Sequence, residues 1–217
     1  MINAVIFDMD GVIVDSEPLH FQAEKMTMEY YGNEISNEEL NNYVGVANPE
    51  MWAELKRKYR LTATLEEILE KQFSFKRNLF RSNKLKPIDG ISELLQTVRS
   101  RGIRTALASS SSRELIELLL DKLGIKDSFE VIVSGEEVKH SKPAPDIFLK
   151  AAGKLGIEPM SCLVIEDAKH GIKAAKLAGM YCIGFCNPNS GNQDLSLADA
   201  VVRSIYEVYP LINSWSL

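Results

Sequence analysis

Asp8-Met9-Asp10-Gly11-Val12 follows the apolar run Ala4-Val5-Ile6-Phe7, so two carboxylates one residue apart stand at the end of a segment that reads as a buried strand. The carboxyl ends of strands are where open α/β sheets bind their ligands. Two acids at this spacing can divide a group transfer between them: one attacks, the other moves protons. The same residues also fit an ordinary turn, because Asp after a strand and the Asp-Gly pair are both frequent turn formers. A calcium loop of the EF-hand kind fits worse, since that loop wants its glycine at the sixth position and Gly11 stands at the fourth. Partners elsewhere in the chain must decide.

Three further strand ends supply them. After Leu107-Ala108 comes Ser109-Ser110-Ser111-Ser112, a run of hydroxyl and amide donors at a predicted helix entrance. Such an entrance favours phosphate. Ser109, with Ser110 beside it, is read as a phosphate contact, and Ser112 as a helix cap. Lys142 lies in Ser141-Lys142-Pro143-Ala144-Pro145-Asp146, where the prolines restrict the backbone beside it. In isolation it is a surface charge; its meaning comes from its company. Leu163-Val164-Ile165 runs into Glu166-Asp167, which by themselves would only complement a helix dipole. Together with Asp8 and Asp10 they gather four carboxylates at one sheet edge. Two like charges 4 Å apart repel by about 4 kcal/mol at an effective dielectric near 20, so a cation is expected among them. Oxygen ligands beside a phosphate suggest magnesium, with Asp8, Asp10, Glu166 and Asp167 as the candidate ligands.

The elements that must hold these residues alternate. β-rich runs at Ala4 to Phe7, Thr105 to Ala108, Val131 to Val133, Cys162 to Ile165 and Tyr181 to Phe185 are separated mostly by helix-period stretches. That pattern predicts a doubly wound parallel α/β sheet. Ile91, Leu94, Leu95 and Val98 mark one helix face, Arg113 to Leu123 a helix stopped by Gly124, Pro145 the first turn of a third, and Ala168 to Ala178 a fourth. Glu17 to Lys86 breaks the alternation and reads as all helix. Leu19, Ala23, Met26 and Tyr30 form one face, Asn48-Pro49 reads as a cap with proline at the first helical position, and Thr64 to Glu67 has capping-box spacing. Residues 1–14 and 88–217 are therefore expected to form a core domain, with 15–87 inserted as an all-helical subdomain. The Lys and Arg cluster from Lys71 to Lys86 is read as the solvated face of the helix that Thr64 to Glu67 opens and of its exit, with a substrate-facing cation within it, Lys76 for example, as the alternative. The stretch from Asn187 to Ser196 reads as a loop.

Composition bounds the rest. At 217 residues, 45% hydrophobic and 25% charged, the chain has room for a sizeable core. A net charge of -5 argues against a surface given over to nucleic acid but leaves open a small anionic substrate. No apolar run approaches membrane-spanning length and no signal core opens the chain, so a cytoplasmic protein, without membrane or nucleic-acid partners and acting as a monomer, is the expectation. Cys162, Cys182 and Cys186 have neither redox nor zinc spacing and are read as free, mostly buried thiols.

The ordered set of Asp8-Met9-Asp10-Gly11-Val12, Ser109, Lys142 in Lys-Pro-Ala-Pro-Asp, and Glu166-Asp167 resembles the four motifs of the haloacid dehalogenase superfamily, and the resemblance spans essentially the whole chain. Asp15-Ser16-Glu17-Pro18-Leu19-His20 looks like the hinge of its β-phosphoglucomutase-like branch, and the helical insertion like its first class of cap. The resemblance implies a Rossmann-like core and magnesium-dependent phosphoryl transfer. Asp8 would form an aspartyl phosphate and Asp10 would serve as acid and base. Magnesium would be held by Asp8, the Asp10 carbonyl and Asp167, with Glu166 in or behind that shell. Ser109, Ser110, Lys142 and Gly11 would surround the phosphate, and His20 and Gly45 would lie on the substrate side. Asp10 separates the chain from the dehalogenating members, so no halide release from 2-haloacids is expected.

The insertion should choose the acceptor. Mutases of this branch resemble Lys-Gly-Val-Ser-Arg around Gly45, whereas Val44-Gly45-Val46-Ala47-Asn48 lacks both cations. Asn48 has no charged, bidentate grip on a second phosphate, and Arg113 is the candidate replacement. A phosphatase acting on a small sugar or polyol phosphate is therefore favoured, with a β-phosphoglucomutase as the alternative. A phosphorelay receiver module is a remote third, since a switch needs neither an inserted lid nor a leaving-group acid.

Overall fold

A computed structural model describes residues 1–215. Six strands, β1 (Ala4–Phe7), β2 (Arg104–Ser109), β3 (Val131–Ser134), β4 (Cys162–Glu166), β5 (Tyr181–Phe185) and β6 (Ala200–Val202), form one sheet. All are parallel, in the order β3-β2-β1-β4-β5-β6. Ala4 stands opposite both Arg104 and Cys162, so Asp8, Ser109 and the end of β4 emerge at one level. The strand order reverses at β1, and the carboxyl ends of β1 and β4 flank the resulting crevice, where doubly wound sheets bind their ligands.

Continuous apolar runs are required because both faces of the sheet are covered. Alternate side chains of β1 serve opposite layers. Val5 and Phe7 pack with Ile91 and Leu95 of α5 (Ile91–Ser100) and Leu119 of α6 (Arg113–Leu123), while Ala4 and Ile6 pack with Phe148 of α7 (Asp146–Leu155) and Ile172 of α8 (Lys169–Leu177). A final helix, α9 (Val208–Trp215), adds Val208 and Ile212 to the first layer.

Between β1 and β2 lie α1 (Glu17–Tyr30), α2 (Asn37–Leu40), α3 (Asn48–Tyr59) and α4 (Leu65–Ser82). They have their own apolar cluster, which includes Met28, Leu40, Trp52, Leu55 and Ile68. The Thr64–Glu67 capping box opens α4 as its spacing predicts. No helix among the described residues is long and apolar enough to cross a membrane.

Several local expectations change. β6 is an edge strand of three residues with Val201 exposed, too short to carry a legible alternation. α3 is entered through Ala47, not Asn48. Ser112 precedes α6 but makes no side-chain capping bond, and its hydroxyl is buried without a partner among the described residues; the Arg113 amide instead donates to Glu136, 2.9 Å away. Arg113 is committed to Glu137 and the Ile132 carbonyl, so it is no substitute cation for a second phosphate. The buried side of α1 includes His20, Ala23, Glu24 and Thr27, while Tyr30 is exposed. Apolar periodicity places this face wrongly because part of what α1 buries is polar. Cys162 and Cys182 are buried and Cys186 is exposed.

Candidate active site

Asp8 leaves β1 with its amide donating to the Ile165 carbonyl at 3.0 Å, which ties the start of the acidic loop to β4. The next turn closes tightly. Gly11 has φ of 81°, and a side chain there would collide with Asp167 and Ser190. Asn187 donates to the Gly11 carbonyl at 2.9 Å. Only glycine lets the loop after β1 pass this close to the loop after β4.

Lys142 connects the motifs. Its ammonium is 2% exposed, bonds Asp8 Oδ1, and lies 2.7 Å from Glu166 Oε1 and 3.4 Å from the Ala108 carbonyl. The peptide bond from Lys142 to Pro143 is cis. Glu166 Oε2 accepts from the Ala168 amide at 2.8 Å. Glu166 is thus engaged at both oxygens and stands in the cavity wall as a counter-charge to Lys142, whereas Asp167 is bonded at Oδ2 by Ser190. Asp8 Oδ2 and Asp167 Oδ1 accept nothing from the described residues, and both side chains line the cavity.

One ammonium faces two buried carboxylates, Asp8 and Glu166, with Asp167 close by. Burial raises the Asp8 carboxyl well above the ordinary range against the opposing pull of Lys142, with Glu166 and Asp10 adding to the rise. Burial, with Glu166 and Asp8 nearby, likewise raises Asp167. Lys142 is shifted upward by Asp8 and Glu166 despite its own burial. The site therefore lacks positive charge at the two carboxylates that still have an oxygen free. No group of three or more His, Cys, Asp or Glu among the described residues is gathered for a metal, but magnesium needs only one or two carboxylates when a carbonyl, water and phosphate complete its shell. The residues present fit that ion.

Asp10 is held differently. Burial alone would raise its carboxyl, yet His20, with the Ser16 and Ser111 hydroxyls, holds it far below the usual carboxylate range. Its Oδ1 is 2.8 Å from His20 Nε2 and accepts from Ser16 at 2.6 Å; its Oδ2 accepts from Ser111 at 3.0 Å and Ser109 at 3.3 Å. Ser109 is fully buried behind the cavity, while Ser110 and Ser111 line it. Sequence reasoning missed Ser16 and Ser111 as partners of Asp10; nothing in the pattern distinguishes them from hinge and cap serines.

The inserted helices close the other side. Glu17, His20, Phe21 and Glu24 from α1, Gly45 and Asn48 from the next segments, and Lys76 from α4 all line the cavity. Gly45, with φ of 78°, comes so near the loop after β4 that an added Cβ would lie 2.9 Å from Ala168 Cβ. His170 lies under this loop with its ring at the Val44 backbone. Lys76 is not on a solvated face: it is 3% exposed and 2.9 Å from Glu24, and Gln72 bonds Glu24 at 2.8 Å. Asn48 Oδ1 accepts from both Gln72 and Lys76 at 3.2 Å. Its one-position shift out of the cap role turns it toward this network.

The comparisons with known proteins agree with this arrangement. A family profile described as haloacid dehalogenase-like hydrolase matches residues 5–185. A phosphorylated carbohydrates phosphatase from Thermotoga maritima is 37% identical over 212 residues, covering 97% of each chain. A β-phosphoglucomutase from Bacillus subtilis is 35% identical over 210 residues, covering 93% of this chain and 89% of its own. The crystal structure of a β-phosphoglucomutase from Clostridium difficile matches with a TM-score of 0.88 at 29% identity, over 99% of this chain and 96% of that one. Relatives of both reaction types occur at comparable identity, so the choice between them rests on the cavity.

Proposed function

Because the chain belongs to the haloacid dehalogenase-like hydrolase family, we propose that it is a magnesium-dependent phosphatase cleaving a small sugar or polyol phosphate through an aspartyl phosphate on Asp8. Residues 15–87 act as its cap, residues 1–14 and 88–217 as its catalytic core, and it works in the cytoplasm.

Asp8 attacks phosphorus with Oδ2, while the Lys142 bond to Oδ1 fixes the direction of attack. The leaving oxygen takes a proton from Asp10, and His20, 2.8 Å away, is placed to supply it. Asp10 is ionised as folded, which suits the second half of the reaction, where it takes a proton from the water that opens the acyl phosphate. Ser109, Ser110 and Lys142 would steady the phosphoryl oxygens once substrate turns their donors inward. Asp8, Asp167 and the Asp10 carbonyl would hold magnesium, which when bound supplies positive charge at those oxygens.

The observation that favours hydrolysis over mutation is the Glu24–Lys76 pair. Lys76 is the one Lys or Arg among the described residues lining the cavity, and it is already matched by Glu24. A mutase must grip a bisphosphate at both ends. Here the cap side offers a second phosphate no uncommitted cation, and Glu17 adds a further acid. Incubation with β-glucose 1-phosphate and its bisphosphate primer is expected to yield inorganic phosphate by phosphorus NMR; accumulation of glucose 6-phosphate without phosphate release would reverse the choice.

Magnesium is expected to raise the thermal midpoint, since binding to the folded state at 100 times its dissociation constant adds about 2.7 kcal/mol. Chelation should remove both this increment and phosphate release. A midpoint and turnover indifferent to chelator would exclude the ion from the site.

A further inference from the structure

We infer that Glu17 selects the leaving group: its carboxylate accepts a hydrogen bond from a hydroxyl on the alcohol portion of the substrate. This rests on the phosphatase reading and deepens it. Glu17, His20 and Glu24 are spaced three and four residues apart, so α1 presents them along one face, and all three line the cavity. They are not equivalent. His20 is taken by Asp10, and Glu24 by Lys76 and Gln72. Glu17 is 6% exposed and receives neither a hydrogen bond nor an ion pair from any described residue.

A buried acceptor without a donor is unfavourable and calls for a partner. Burial lifts the Glu17 carboxyl to about 7, with Asp10 and Glu24 adding to the rise against the opposing effects of His20 and Lys76. No neighbouring side chain relieves it, so the donor must be what occupies the cavity. A phosphate has no spare donor when fully ionised and would be repelled. An alkyl chain offers nothing. An ammonium group would satisfy Glu17, but it has donors only and carries no acceptor for the Lys76 ammonium that shares the cavity. A hydroxyl meets every requirement, and Lys76 and Asn48, which line the same cavity, supply both donors and an acceptor for adjacent hydroxyls.

The test compares three monoesters with magnesium present: a hexitol phosphate, n-hexyl phosphate and phosphoethanolamine. The wild-type protein should prefer the hexitol ester. In Glu17→Ala the ratio of kcat/KM for hexitol over hexyl ester should fall by roughly 10- to 100-fold, mainly through KM, as expected for one charge-assisted hydrogen bond. Glu17→Gln, which keeps an acceptor oxygen and the side-chain volume, should restore part of the ratio. An equal loss on both esters would mark a structural role and overturn the inference, and so would a wild-type preference for phosphoethanolamine. Should the wild type release phosphate from none of the three, the phosphatase reading fails separately. Saturation-transfer NMR with free hexitol then tests the contact without turnover: a signal with wild type that is lost in Glu17→Ala supports it, and the same signal from both refutes it.

Discussion

Replacing Asp8 by Asn is expected to leave a folded protein whose phosphate release is slower by about 10⁴-fold or more, the scale seen when a covalent nucleophile is removed from a preorganised site. The amide has nearly the carboxylate's shape, and its oxygen can still accept from Lys142. What is lost is the anionic Oδ2 at the crevice between β1 and β4. The same substitution removes one of the two acids paired with a single ammonium. The folded Asp8 carboxyl has a raised pKa, so this group favours folding at low pH and that contribution is lost as pH rises through its folded pKa. Near neutral pH and without magnesium, Asp8→Asn should therefore melt at or above the wild-type midpoint. Mass spectrometry of protein quenched during turnover should find a phosphoryl adduct on wild type and none on the variant. Turnover within tenfold of wild type would place the nucleophile elsewhere.

Lys142→Ala should be harmful in two ways. The ammonium is buried between Asp8 and Glu166, and removing one partner of such a set typically costs about 3–5 kcal/mol because charge is left buried without its counter-ion. Activity should fall as well, since Asp8 loses the contact that orients it. The pH dependence gives this a signature. Without Lys142 the Asp8 carboxyl, already raised by burial, is expected to hold its proton to still higher pH. As pH falls, the folded state can take up a proton there and shed the repulsion, so the deficit against wild type should be smaller at pH 5 than at pH 8. Denaturant melts at the two pH values measure it. A deficit that grows toward low pH would show that Lys142 is not the counter-charge of these acids.

Much of the core was legible because each strand pairs on both sides in a covered sheet. β1 to β5 are short apolar runs, and a polar group follows β1, β2 and β4 wherever the crevice must be lined. Asp8, Asp10, Lys142, Glu166 and Asp167 could be picked out together because parallel strands in one register bring their carboxyl ends to one edge. The inserted helices were harder. Their apolar spacing reveals that they are helices, but Glu17, Glu24, Gln72 and Lys76 are buried against the usual habit of their types, and a hydropathy pattern turns such residues outward. Ser111 and Ser112 show the same limit at finer scale: adjacent and chemically identical, one bonds Asp10 and the hydroxyl of the other has no partner among the described residues.

The sequence by itself determined the alternation of elements, the order of the acidic and basic motifs, and therefore the family and the sheet edge where chemistry occurs. These follow from local periodicity and from residue types at strand ends. Only the tertiary structure decided that Lys142 is shared by Asp8 and Glu166, that Asp10 is held ionised by His20 and serines, and that Lys76 is neutralised by Glu24 while Glu17 receives no donor from the described residues. Each of those depends on side chains from separate elements meeting in a poorly solvated space, where a charge's partner and not its position in the chain sets what it can do.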